Sequence, residues 1–143
     1  MPYSLKPGMT VEEADRCMQA AGFQPMYDAN DGATIYYYGT VVEGTETYSS
    51  LMSVFENGVI HVIHFYLESP GCSRENPGTD YLRIQSMLKN EYGAVSYTME
   101  NNGSDGWVND SVEVHFGHLE SNDVLYYALA YWYLPKGIKY NGF

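Results

Sequence analysis

The sequence predicts an α+β fold in which two helices cover one face of an antiparallel sheet. Two segments with apolar residues at helical spacing each end at a glycine, and β-rich runs follow both of them. Asn57-Gly58 joins two of these runs, and this dipeptide favours a hairpin because both of its positions accept positive φ. The strands are therefore expected to pair antiparallel, with the helices packed against the sheet.

The order helix, strand, strand, strand occurs twice along the chain at a near-constant spacing, which indicates an internal duplication. We predict a first αβββ repeat over residues 1–67, a linker over residues 68–78 and a second αβββ repeat over residues 79–143. The linker combines prolines, glycines and charges of both signs, a composition typical of connecting segments. Together the two repeats are predicted to form one compact domain.

The first helix is predicted to begin at Thr10 and to end at Gly22. Residues 10–13 (Thr-Val-Glu-Glu) match a capping box, in which the threonine hydroxyl accepts a hydrogen bond from a backbone N–H of the first turn. Gly22 suits the left-handed conformation that follows many helices. Three strands are expected next, over residues 33–40, 47–56 and 59–67, with a hairpin between the last two.

The second helix is predicted to open at Thr79 and Asp80 and to close at Gly93. Its apolar stripe of Tyr81, Ile84, Leu88 and Tyr92 repeats at helical spacing. Strands are expected over residues 95–100, 107–117 and 124–134, which brings the total to six strands and two helices.

Charge limits the classes of partner. The 143 residues include 7 Lys and Arg against 18 Asp and Glu, a formal net charge of −11. This charge repels the phosphates of nucleic acids, so direct nucleic-acid binding is not predicted. It favours a protein partner with a basic surface, including one whose basic site normally grips DNA or RNA. No apolar run is long enough to cross a bilayer, so no membrane span is predicted.

The N-terminal residues and the cysteines indicate the cellular compartment of the protein. The start, MPYSLKPGMT, has no apolar segment after its lysine, so the chain as given is predicted to be cytoplasmic. An exported protein that had lost its leader would begin in the same way. Cys17 lies in the first predicted helix and Cys72 in the linker, and both are expected to be reduced thiols.

Motifs for catalysis are not found. The sequence has no Gly-x-Ser-x-Gly elbow, no glycine-rich phosphate loop and no His-Glu-x-x-His, so neither an enzyme nor a cofactor is predicted. Its four histidines form two His-x-x-His pairs, His61/His64 and His115/His118. Positions i and i+3 of a strand point to opposite faces, so neither pair is expected to chelate a metal by itself. One histidine from each half, together with Glu113, is left open as a metal-binding alternative.

The opening of the chain resembles a known family. Residues 7–14 (Pro-Gly-Met-Thr-Val-Glu-Glu-Ala), followed by a short helix, a glycine and a Tyr-rich meander, resemble the start of the SmpA/OmlA (BamE-like) proteins. These are small envelope lipoproteins that act through protein contacts. The tandem helix-plus-sheet arrangement is similar to that of the β-lactamase inhibitor protein (BLIP) family, whose two repeats form a concave aromatic sheet that grips another protein. The resemblance implies protein binding and no catalytic residue.

The last predicted strand is uncharged and carries aromatic side chains on both faces. Ala128 and Ala130 would let a helix approach closely, so their face is assigned to the core. The other face is predicted to be an open surface that contacts a partner. The predicted partner-binding residues are Tyr36, Tyr38, His61, Tyr127, Tyr131 and Tyr133.

The sequence therefore predicts a non-enzymatic protein-binding module, of which an inhibitor or immunity-type protein is one form. It would dock a partner on the Tyr-rich face of its sheet. The alternative is a small-ligand or metal-binding domain that uses an aromatic cleft and the histidines.

Overall fold

The computed structural model describes residues 4–6, 8–26, 34–42, 45–54, 60–68, 75–100, 103–109, 112–121 and 124–133. Within these ranges the chain forms two helices and eight strands. The helices are α1 (Val11–Ala20) and α2 (Thr79–Tyr92). The strands are β1 (Thr34–Tyr38), β2 (Val41–Val42), β3 (Thr45–Val54), β4 (Ile60–Glu68), β5 (Tyr97–Thr98), β6 (Asp105–Val108), β7 (Val112–Ser121) and β8 (Val124–Tyr133).

Both ends of α1 follow the sequence prediction. Thr10 is the N-cap, and its hydroxyl oxygen accepts a hydrogen bond from the N–H of Glu13 at 3.3 Å. After the helix Gly22 adopts a φ of +102°, and the N–H of Phe23 donates to the carbonyl oxygen of Met18 at 3.0 Å. This bond ties the residue after Gly22 to the last turn of α1 and turns the chain back onto the helix.

α2 also ends where the sequence predicts. Gly93 has a φ of +86°, and its N–H donates to the carbonyl oxygen of Lys89 at 2.9 Å. The carbonyl oxygen of Gly93 accepts a hydrogen bond from the indole N–H of Trp107 at 3.0 Å. The C-terminal end of α2 is thereby fixed to β6.

The strands form an antiparallel sheet in the order β1-β3-β4-β8-β7-β6-β5, with β2 paired to β3. The predicted α+β class, with an antiparallel sheet and two helices, is confirmed. The pairing of β3 with β4 is antiparallel as expected, although the predicted Asn57-Gly58 turn lies outside the described residues. The internal duplication stays a prediction.

One predicted strand is wrong. Residues 107–117 were expected to form a single strand, but the structure divides them between β6 and β7, which pair with each other. The N–H of Asn109 donates to the carbonyl oxygen of Val112 at 2.9 Å, which joins the end of β6 to the start of β7. Asn, Asp and Ser at 109–111 are turn-forming residues. The prediction overlooked this signal because β-rich runs lie on both sides of it.

The core lies between the helices and one face of the sheet. Ala14 and Met18 of α1 share a buried cluster with Ile84 and Leu88 of α2. The strand side chains in this cluster include Tyr37, Ile63, Phe65, Val114, Phe116, Tyr127, Leu129 and Tyr131. Both helices therefore cover the same face of the sheet.

The predicted orientation of β8 is wrong. Tyr127 is 1% exposed and Tyr131 is 3% exposed, and both belong to the helix-covered core. Large rings fill the space between a sheet and the helices that cross it, which alanine methyl groups are too short to reach. We call the other side of the sheet, which carries Ala128, Ala130 and Trp132 of β8, the opposite face.

Candidate functional site

The register of the sheet places two histidines on either side of an alanine on the opposite face. Ala130 of β8 pairs with His64 of β4 on one side and with His115 of β7 on the other. In the next row of the same face, Ala128 lies between Tyr66 of β4 and Gly117 of β7. Small residues therefore run along the middle of the face, with larger side chains beside them.

The space above these small residues is a cleft of about 340 Å³. Its floor is Gly117, Ala128 and Ala130, and we call it the alanine cleft. Its walls include His64, Tyr66, Met99, Ser104 and His115. Ala128 and Ala130 were expected to admit a close-packed helix, but a cleft lies above them instead.

Two glycines fix the side of the cleft nearest β6. A Cβ added at Gly117 would overlap the side chain of Ser104, and a Cβ added at Gly106 would overlap the ring of Tyr97. Glycine at these two positions therefore lets Ser104 and Tyr97 lie flat against the sheet. Tyr97 pairs with Gly106 in β6, which pairs in turn with His115.

Tyr97, Glu113 and His115 form a buried polar cluster beside the cleft. The hydroxyl oxygen of Tyr97 lies 2.6 Å from Nε2 of His115, and Oε2 of Glu113 lies 3.0 Å from the same nitrogen. Glu113 and His115 are two residues apart in β7, so both project from the same face. Glu113 is 1% exposed and His115 is 5% exposed. The cluster holds the His115 imidazole in one orientation.

Burial favours the uncharged forms of these groups. Desolvation, with a smaller contribution from the nearby His64, lowers the pKa of His115 from 6.5 to about 4. Desolvation, with a contribution from His61, lowers the pKa of His64 to about 4 as well. Burial raises the pKa of Glu113, against a smaller opposing effect of its hydrogen bond with Tyr97. At neutral pH the cleft is therefore flanked by two neutral imidazoles.

Three histidine rings surround Trp132. The ring centroid of Trp132 lies 5.3 Å from that of His61, 5.4 Å from that of His64 and 6.1 Å from that of His115. His61 reaches this face because the β3–β4 register shifts there, with Ser53 opposite Val62 and Val54 opposite Ile60. Such a shift leaves one extra residue in β4 and breaks the alternation of faces.

The two His-x-x-His pairs therefore behave differently. His115 and His118 point to opposite faces as predicted, because the His118 ring stacks on Tyr81 of α2 at a centroid distance of 4.5 Å. The same prediction is wrong for His61 and His64, whose rings both contact Trp132. Among the described residues, no three His, Cys, Asp or Glu side chains are grouped closely enough to hold a metal ion. The metal-binding alternative gains no support from this part of the chain.

Half of the predicted partner-binding residues lie on the helix side of the sheet. Tyr127 and Tyr131 are buried there. Tyr133 is partly buried, and its hydroxyl lies near Gly8, where an added Cβ would be 3.6 Å away. The prediction that these three tyrosines form an open surface with the others is wrong, because the helices and the N-terminal segment occupy that side.

The other three predicted residues lie on the opposite face. Tyr37 points into the core, so its neighbours Tyr36 and Tyr38 in β1 point away from the helices. Tyr38 is 57% exposed, whereas Tyr36 and His61 are partly buried. The sequence analysis did not assign the cleft residues Tyr66 and Ser104. It assigned to the core the face of Ala128 and Ala130, which also carries Trp132.

No family model, no curated protein and no solved structure matches the chain. The resemblance to the SmpA/OmlA and β-lactamase inhibitor protein families therefore stays a prediction. In the described part of the chain, neither helix has the length and apolar character needed to cross a bilayer. Cys17 carries a free, partly buried thiol, and Cys72 lies outside the described residues.

Proposed function

We propose that the protein is a small-ligand-binding domain and that the alanine cleft is its binding site. The observation that carries this proposal is a cleft of about 340 Å³ on the sheet, with a floor of three small residues. Ligand sites are typically concave and mostly apolar, with a few polar groups that fix orientation, and they span about 300–1,000 Å³. The alanine cleft fits this description, because apolar groups line most of it and His64, His115 and Ser104 add polar atoms.

Packing supports the proposal. The cleft lies where the side chains of the opposite face are small. The neighbouring positions of the same face carry Tyr66, His64, Trp132 and Tyr97, so small residues are confined to the middle of the face. The buried cluster of Glu113, His115 and Tyr97 then fixes one wall. A wall held by hydrogen bonds is the kind of support that a binding site needs.

The test uses the two tryptophans of the chain as reporters. Trp132 lies beside the cleft, and Trp107 is buried on the helix side. An amide NMR spectrum of the ¹⁵N-labelled chain shows one indole N–H signal for each. We expect a library of one-ring and two-ring molecules to yield compounds that shift the Trp132 signal and leave the Trp107 signal unchanged.

A pair of matched variants completes this test. Ala130→Leu places a larger side chain in the floor of the cleft, and Ala94→Leu makes the same change at an exposed position after α2. Binding should be lost in Ala130→Leu and kept in Ala94→Leu. A library without any compound that shifts the Trp132 signal, or shifts that persist in folded Ala130→Leu, would refute the proposed function.

A protein-binding function is the second candidate, and exposure at the β1 end of the opposite face favours it. Tyr36 and Tyr38 project from the same face of β1, and among the described residues Tyr38 is one of three large apolar side chains that are mostly exposed. Exposed tyrosines are common anchors in interfaces. The net charge of −11 favours a partner with a basic surface, of which an inhibitor's or immunity protein's target is one example. The predicted tandem repeat would agree with this function.

This second candidate has its own test. The wild type and a Tyr36→Ala/Tyr38→Ala double variant are immobilised, and the proteins that each captures from a lysate are compared at low and high salt. We expect a basic protein that is retained by the wild type alone and released by salt. Equal capture by the two forms would contradict a docking role for these tyrosines.

A further inference from the structure

We propose that the alanine cleft takes an uncharged, planar molecule of one or two rings, which lies between the β4 wall and the β7 wall. This inference rests on the proposed function and names the chemical class of the ligand. Three properties of the cleft carry it: the spacing of its walls, the absence of charge from its described lining, and its volume.

The spacing of the walls selects a flat molecule. His64 and Tyr66 of β4 have nearly parallel rings, with 7° between their planes and 5.8 Å between their centroids. His115 of β7 stands across β8 from them. Neighbouring strands lie about 4.8 Å apart, so walls two strands apart are about 10 Å from each other. One flat ring system with contact distances of about 3.5–4 Å on each side needs about 7–8 Å, and a second stacked ring would need about 11 Å. The gap therefore holds a single flat ring system upright above Ala128 and Ala130.

The lining selects against a charged molecule. Among the described residues that line the cleft there is no Lys, Arg, Asp or Glu. The carboxyl group of Glu113, beside the cleft, is already hydrogen-bonded to His115. Moving an ionised group out of water without a counter-charge is costly, whereas a neutral molecule avoids this cost. Nε2 of His115 is already bonded to Tyr97 and Glu113. A neutral His64 imidazole offers one N–H donor and one nitrogen acceptor, which suits a ligand with one or two polar groups.

The volume limits the size of the molecule. About 340 Å³ lies at the small end of the range found for ligand sites. One or two rings with a small polar substituent fill such a space, whereas a long chain or a peptide does not. Aromatic faces on the ligand would also suit the Tyr66 and Trp132 rings nearby.

The test compares size-matched probes that differ in charge. Benzamide is neutral, benzoate is an anion and benzamidine is a cation, and all three are planar and of similar size; indole is added as a neutral two-ring probe. Dissociation constants are measured at pH 7 on the full chain from the shift of the Trp132 indole signal. We expect benzamide and indole to bind at least tenfold more tightly than benzoate and benzamidine. Ala130→Leu should remove this binding, and Ala94→Leu should keep it.

Each outcome has a separate meaning. If benzoate or benzamidine binds as tightly as benzamide and Ala130→Leu removes the binding, the cleft is a ligand site and the inference about charge is wrong. If none of the four probes binds the wild type, this inference is wrong, and the library screen decides the proposed function separately. The comparison among probes uses the wild type, so it remains decisive even if Ala130→Leu does not fold. In that case Ala128→Leu takes its place as the variant that blocks the floor.

Discussion

Acidification should destabilise the protein through His115. This imidazole faces Glu113 on its own strand, Tyr97 of β5 and His64 of β4. Burial lowers its pKa in the folded chain to about 4, against 6.5 as its ordinary value. Between these two values the unfolded chain binds more protons than the folded chain. The contribution of His115 to stability is therefore present above pH 6.5 and is lost as the pH falls toward 4.

The size of the effect follows from the two pKa values. At pH 4.5 a group with a pKa of 6.5 in the unfolded chain and about 4 in the folded chain lowers the free energy of unfolding by about 2.5 kcal/mol. His64 acts in the same direction, and its share is smaller because it is partly exposed. Glu113 acts in the opposite direction. Its pKa is raised in the folded chain, so its contribution to the free energy of unfolding is present at low pH and is lost as the pH rises.

Urea unfolding at pH 7 and at pH 4.5 measures the effect. The wild type should lose stability between the two conditions, and His115→Gln should lose about 2.5 kcal/mol less, because glutamine has no proton to gain. Both chains contain the other carboxyl groups, so the contributions of those groups largely cancel in the comparison. His64→Gln should give a smaller difference of the same sign. The burial argument is refuted if the wild type and His115→Gln lose the same free energy between pH 7 and pH 4.5.

Three further predictions concern stability at neutral pH, measured by urea unfolding. Tyr131→Ala should cost about 3–5 kcal/mol because it empties a core position under the helices, and Tyr131→Phe should cost much less because the ring stays; equal losses would contradict this. Gly117→Ala should cost about 1–3 kcal/mol because the new methyl group overlaps Ser104, and an unchanged midpoint would argue against this close contact. Thr10→Ala should cost about 1 kcal/mol and Thr10→Ser close to nothing, provided that the hydroxyl caps α1.

The parts of the fold that local chemistry determines could be predicted from the sequence. A threonine hydroxyl at Thr10 and glycines at Gly22 and Gly93 act on the backbone within a few residues, and both helices end where these residues predict. The pairing of β3 with β4 follows in the same way from two β-rich runs joined by a short segment. These features need no knowledge of what lies elsewhere in the chain.

The orientation of β8 could not be predicted in this way. Its alternation separates two sets of side chains, but neither set is polar, so the pattern does not show which one faces the helices. Which set of β8 side chains faces the helices depends on where α1 and α2 pack on the sheet, and this is a tertiary property. The shift at His61 is similar, since one extra residue in β4 moves a ring to the other face without any signal in the sequence.

The reversed orientation changes which variants can test binding. On the sequence prediction, replacing Tyr131 and Tyr133 by alanine would remove partner binding and leave the fold intact. With Tyr131 3% exposed in the core, loss of binding in that variant would report unfolding instead. Substitutions on the opposite face separate a loss of binding from a loss of folding. Ala130→Leu changes the cleft, and Tyr38→Ala removes an exposed ring. A binding defect in either variant, with an unchanged urea midpoint, would assign the function to that part of the face.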